Sequence, residues 1–129
     1  MKSQMNNLLL DSNSLISYIA AASRIGKKSR ELLNRANLFY SSISLFELKL
    51  KELRIPGFQS PLSETKLKAI GIEKISFDSE DLKGLVQLKT KDPFDLMLVS
   101  QANARKLGFV TSDLLILESD LPFVFDITD

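Results

Sequence analysis

Apolar residues along this chain fall into two patterns, short continuous runs and longer stretches with helical spacing, and the two alternate from one end to the other. The short runs predict strands at Asn7 to Leu10, Leu38 to Ser41, Ile72 to Ser76, Phe109 to Thr111 and Phe123 to Ile127. Between the first two lie helical patterns from Ser12 to Ala22 and from Lys27 to Ala36, separated by Gly26. Ser44 is expected to cap a helix running to about Leu53, with Glu47 completing a capping box at its third position. Pro56, Gly57 and Pro61 mark a loop. A short helix from Ser63 to Ala69 ends at Gly71, and another is expected near Ser79 to Leu88. Strands alternating with helices predict an α/β fold with a mainly parallel sheet.

The sharpest local signal is Asp92-Pro93-Phe94-Asp95, which opens an apolar helix expected to close at Gly108. Asp92 suits the N-cap and Pro93 the first helical position, where a missing N–H costs nothing. Asp95 then falls at the third helical position, beside unpaired backbone N–H groups and the positive end of the helix dipole. A capping pair is the plain reading of this motif alone. Other acids give it company: Asp11 ends one apolar run, Asp113 ends another, and Glu47 lies in the opening turn of a helix.

In an open parallel sheet the carboxyl ends of the strands form the binding edge, where Asp11 and Asp113 are expected. Helices that follow their strands begin on the same edge, which brings Glu47 and Asp95 within reach. At an effective dielectric of about 20 and a separation of about 4 Å, each like-charged pair costs roughly 4 kcal/mol, or about three pKa units. Such a cluster calls for a cation, and a hard ion such as Mg²⁺ or Mn²⁺ suits carboxylate oxygens.

Composition narrows the chemistry further, because the chain contains neither histidine nor cysteine. Serine–histidine triads, cysteine nucleophiles, histidine-pair ribonucleases and thiolate or imidazole zinc sites are excluded. A chain of 129 residues that is 44% hydrophobic suits one domain with a proper core, so residues 1–129 are expected to form a single domain. The polar leader Met1-Lys2-Ser3-Gln4-Met5-Asn6-Asn7, and the halt of Leu8-Leu9-Leu10 at Asp11, argue against a signal peptide or membrane span. A soluble cytoplasmic protein is expected, starting at Met1 or Met5. The formal charge of +1 offers little long-range steering toward nucleic acid.

In order, Leu8-Leu9-Leu10-Asp11-Ser12-Asn13, Tyr40-Ser41-Ser42-Ile43-Ser44-Leu45-Phe46-Glu47, Asp92-Pro93-Phe94-Asp95 through Ala102, and Phe109-Val110-Thr111-Ser112-Asp113 resemble the four motifs of PIN domains, specifically the VapC-like toxins of type II toxin–antitoxin systems. The resemblance implies a three-layer α/β/α sandwich around a roughly five-stranded sheet. It also implies a metal-dependent endoribonuclease using Mg²⁺ or Mn²⁺, with Asp11, Glu47, Asp95 and Asp113 matching the catalytic, metal-binding acids and Asp92 left as a cap. An RNA substrate, a cognate antitoxin and a homodimer follow from the same likeness. Ser12 and Thr111 are candidate hydrogen-bond donors to the carboxylates.

Where the family branch often has histidine or arginine beside the third motif, this chain has Thr90, Lys91 and Leu96, and Ser112 stands where arginine is frequent. Phosphate binding is therefore the part most open to change. Lys49, Lys51, Lys89, Lys91 and Arg105 are candidate phosphate contacts, against the ordinary alternative of a solvated face. Phe39, Phe94, Phe109, Phe123 and Phe125 read as core, Phe46 and Phe58 less clearly so. A haloacid-dehalogenase-type phosphatase is disfavoured because Asn13 occupies the place of its second aspartate. The remaining alternatives are a catalytically silent PIN-like interaction module and a housekeeping PIN nuclease of RNA processing.

Overall fold

The computed structural model describes residues 6–129; the leader Met1 to Met5, and with it the choice of start, lies outside them. Five strands, β1 (Asn7–Leu10), β2 (Asn37–Ser41), β3 (Glu73–Ile75), β4 (Gly108–Thr111) and β5 (Val124–Asp126), form one sheet in the order β3-β2-β1-β4-β5. All four pairings are parallel. Six helices connect them: α1 (Ser12–Ala20), α2 (Lys27–Arg35), α3 (Ser42–Arg54), α4 (Glu64–Ala69), α5 (Pro93–Ala104) and α6 (Leu114–Leu117).

Alternation along the strands divides the core in two. Leu8, Leu10, Leu38, Tyr40 and Val110 point to one face, packed by Leu15 of α1, Leu33 of α2 and Leu67 of α4. Leu9, Phe109 and the half-buried Phe39 point to the other, packed by Ile43 of α3, Leu98 and Val99 of α5 and Ile116 of α6. The result is the expected α/β/α sandwich. Central β1 is apolar on both faces because both are covered, and Leu8, Leu9 and Leu10 are fully buried, each burial contributing about 1.5–3 kcal/mol.

The strands form where the apolar runs predict them, but four helix boundaries differ. α3 starts at Ser42 with Ser41 as its N-cap, the Ser41 hydroxyl accepting from the Ile43 N–H at 3.1 Å. Ser44 is therefore not the cap, and the expected Ser44–Glu47 capping box does not form. The Ser79 to Leu88 helix is instead a 3₁₀ turn over Ser79–Gly84, capped by Asp78 with Asp81 as its reciprocal partner. It stops where Gly84 meets α5 too closely for any side chain, since a Cβ there would fall 2.1 Å from the Ser100 carbonyl oxygen. α1 ends at Ala20, and a separate 3₁₀ turn follows at Ala22–Arg24. α5 ends at Ala104, and Lys106, not Gly108, takes the left-handed conformation that terminates it (φ 58°). No helix among the described residues is long and apolar enough to cross a membrane.

Strand order matters most for function. The chain builds outward from β1 through β2 to β3, then jumps across the sheet to β4 and continues to β5. Neighbouring β1 and β4 are followed by connections that leave in opposite directions, which opens a crevice at their carboxyl ends.

Candidate functional site

Asp11 follows β1 directly and caps α1, its Oδ1 accepting from the Ser14 N–H at 2.8 Å. Across the crevice Asp113 follows β4 by two residues and caps α6, accepting from the N–H groups of Leu115 at 2.8 Å and Ile116 at 3.4 Å. Thr111, the last residue of β4 and fully buried, ties the two together. Its hydroxyl donates to Asp11 Oδ2 at 2.6 Å and accepts from the Asp113 N–H at 3.0 Å.

Glu47 lies in the second turn of α3, where the displaced cap leaves it, rather than at a helix start. It is positioned from the side: the Ser12 hydroxyl donates to Glu47 Oε1 at 2.7 Å and lies 2.9 Å from the Ser44 hydroxyl. Ser44, expected as a cap, thus supports the residue that holds Glu47. Asp95 sits at the third position of α5, with Pro93 first and Asp92 as N-cap, as the Asp-Pro signal predicts. The buried Thr90 completes this corner by donating to Asp95 Oδ2 at 3.3 Å and accepting from the Asp92 N–H at 3.2 Å. Sequence reading noted Thr90 only as a departure from the resembled pattern, and a hydroxyl two residues before an N-cap was the signal available.

Electrostatics link the corners. The carboxyl of Asp95 is pushed up to about 7, chiefly by desolvation, then by the negative charges of Asp92, Asp113, Asp11 and Glu47. Burial also raises Asp11, although the Thr111 hydroxyl and the Ser14 N–H favour its charged form. Five acids therefore share one field. Among the described residues, however, no three such side chains are gathered closely enough to hold a metal ion. The donor set itself fits a hard divalent cation: every group is a carboxylate, and a cation would relieve the repulsion raising Asp95.

The sequence pattern of the PIN domain family matches residues 8–117, a span that includes all four acids. The chain belongs to the PIN domain family. No curated protein matches its sequence. Solved structures match its fold: VapBC2 from Rickettsia felis bound to a DNA fragment from their promoter is 21% identical with a TM-score of 0.62, covering 93% of this chain and 98% of that one. DNA-bound VapBC from Salmonella typhimurium is 22% identical with a TM-score of 0.63, covering 94% and 98%. A toxin–antitoxin complex from Klebsiella pneumoniae is 18% identical with a TM-score of 0.59, covering 92% and 95%.

The basic residues of this PIN domain divide into committed and free groups. Arg105 is not available for phosphate, because its guanidinium donates to Asp81 at 2.8 and 3.1 Å and to the Ser76 carbonyl at 2.7 Å. Lys49 pairs with Glu52 at 3.1 Å on the surface. Lys51, Lys89 and Lys91 take part in no ion pair among the described residues. Lys51 lines a cleft of about 270 Å³ with Glu47, Arg54, Asp92 and Phe94.

Proposed function

We propose that this PIN domain is a Mg²⁺- or Mn²⁺-dependent endoribonuclease and the toxin of a type II toxin–antitoxin pair. The observation that carries the reading is the shared field of Asp11, Glu47, Asp95 and Asp113 at one sheet edge, felt most strongly at Asp95. By drawing together around it, all four would hold the metal, with Ser12, Thr111 and Thr90 orienting the carboxylates. A bound divalent ion would supply Lewis acidity, offsetting charge on the attacked phosphodiester and making a water more acidic. Without a cation the Asp95 carboxyl is raised to about 7, and it would lose its proton when a divalent ion binds. Lys51, with Lys91 and a Lys49 released from Glu52, would contact RNA phosphates.

Family membership and the toxin–antitoxin neighbours support an antitoxin partner, which could silence the acids by inserting a guanidinium that pairs with carboxylates bidentately. A homodimer, a single domain over residues 1–129 and a cytoplasmic location complete the proposal. A silent interaction module is the reading that the loose spacing of the carboxylates favours.

The deciding experiment incubates the protein with labelled RNA, and with DNA of the same sequence, across a Mg²⁺ or Mn²⁺ titration. Metal-dependent RNA cleavage, lost in Asp11→Asn and Glu47→Gln, is expected, as is growth arrest by the parent chain that its antitoxin rescues and these variants lack. Variants that arrest growth as strongly as the parent would replace the nuclease with the interaction module.

A further inference from the structure

α3 presents two adjacent stripes at helical spacing: Phe46, Leu50 and Leu53 on one, and Glu47, Lys51 and Arg54 on the other. Phe46 is 60% exposed, although it directly precedes an acid of the site. Its ring is steadied from one side by Phe94, with centroids 5.9 Å apart and planes inclined at 56°, within the favoured range for tilted aromatic pairs. Phe94 is itself packed on the core and directly precedes Asp95. The two rings therefore join the helices that carry Glu47 and Asp95. Phe46 also borders a second cleft, of about 610 Å³, but Glu52 and Glu64 line it and Lys49 is paired there, so that side offers no free cation. On the other stripe, Lys51 and Arg54 are unpaired among the described residues and line the cleft beside Glu47 and Phe94.

An exposed aromatic contributes little to folding, but a rigidly backed ring beside free cations matches the way single-stranded nucleic acid is bound, a base on the ring and a phosphate on the charge. We propose that Phe46, backed by Phe94, is the stacking platform for one unpaired base of a single-stranded RNA, with Lys51 and Arg54 taking the adjoining phosphates. The inference rests on the ribonuclease reading and specifies its substrate: the strand is unpaired where it crosses α3. Charge complementarity selects nucleic acid over an apolar partner on the Lys51 and Arg54 side of the ring, where the facing acids are Asp92 and Glu47, the latter one that a bound metal would neutralise. Stacking tolerates any base, so the platform positions the strand without reading its sequence.

The test uses short single-stranded RNA carrying one 2-aminopurine, whose fluorescence falls on stacking. Binding is followed in chelator and steady-state cleavage in Mg²⁺. Phe46→Leu and Phe46→Ala should abolish the quench, weaken binding roughly 5- to 100-fold and raise KM with little change in kcat, as expected for loss of one stacked base. Phe46→Tyr should restore the quench and the KM. Lys51→Ala and Arg54→Ala should each lower the slope of log affinity against log salt by about 0.7 while leaving the quench in place. Leu53→Ala, on the same stripe one turn farther on, should change none of these. If Phe46→Leu binds and quenches like the parent, or duplex RNA binds as tightly as single strands, the platform is wrong although the nuclease stands. If Leu53→Ala loses as much affinity as Phe46→Leu and both shift the protein from dimer to monomer on gel filtration, the face belongs to a second copy. A parent chain that neither binds nor cleaves RNA removes the nuclease reading and the platform with it.

Discussion

Thr111 and Asp11 are 100 residues apart in sequence, yet the hydroxyl of one lies 2.6 Å from the carboxylate of the other. Since the same hydroxyl accepts from the Asp113 N–H, one side chain sets the geometry of two acids. Thr111→Val keeps the shape and removes both bonds. It should cost about 1–3 kcal/mol in thermal or urea unfolding and lower cleavage sharply, while Thr111→Ser keeps most of both. Full activity in Thr111→Val would show that the bridge is architectural only.

The raised Asp95 carboxyl gives the metal-free protein a definite pH dependence. Its ordinary value is 3.8 and its folded value about 7, so between them the folded state holds the proton that the unfolded state has released. Its contribution to stability is complete below about pH 3.8 and is lost as pH rises through 7. In chelator, the melting temperature attributable to this group should fall over that window. Asp95→Asn should flatten the fall and melt higher than the parent at pH 7, because Thr90 can still donate to the amide oxygen. Divalent metal should raise the parent's melting temperature, and not that of Asp95→Asn to the same extent. Identical pH profiles for parent and variant would exclude a shared acidic field.

Ser12→Ala separates positioning from stability. The substitution frees Glu47 Oε1 and leaves Ser44 without its neighbour, but Glu47 is half-buried and water can replace the donor. A stability change of about 1–2 kcal/mol is expected, chiefly from the buried Ser44 hydroxyl, with a much larger fall in cleavage. Equal proportional losses in both would make Ser12 a packing residue.

Arg105 should behave in the opposite way. Burial alone would raise the Asp81 carboxyl, but Arg105, the Asp78 N–H and Gln101 together hold it below its usual range. Asp81 is 2% exposed, so Arg105→Ala strands a buried carboxylate and should destabilise by about 3 kcal/mol, a loss that shrinks once acid protonates Asp81. Cleavage per folded molecule should be unaffected. A selective loss of RNA affinity would return Arg105 to the phosphate-binding set.

The parallel sheet was legible because its central strands are buried on both faces and therefore read as unbroken apolar runs, Leu8-Leu9-Leu10 above all. Asp92-Pro93 fixed a helix start to the residue, since cap and proline preferences agree there. The cap of α3 was misplaced because Ser41, Ser42 and Ser44 crowd the strand end and spacing alone chose the one three residues before Glu47. What decided it was β2, whose pairing with β3 runs to Ser41 and leaves no slack before the helix. The Asp81–Arg105 pair was invisible for a related reason, since it spans 24 residues, and Thr90, although it stands two residues before an N-cap, acts on an acid outside its own turn. Periodicity does not encode contacts of that kind.

Strand order also governs when the acidic crevice can exist during synthesis. A growing chain can pair β1 with β2 and then β2 with β3 soon after each emerges, since those contacts are comparatively local. The opposite wall waits for β4, and neither Thr111 nor Asp113 can meet Asp11 before then. A polypeptide stalled or truncated anywhere short of Gly108 carries at most three of the four acids and no crevice to hold them. On the ribonuclease reading, this strand order would delay assembly of the crevice until most of the message encoding it has been translated.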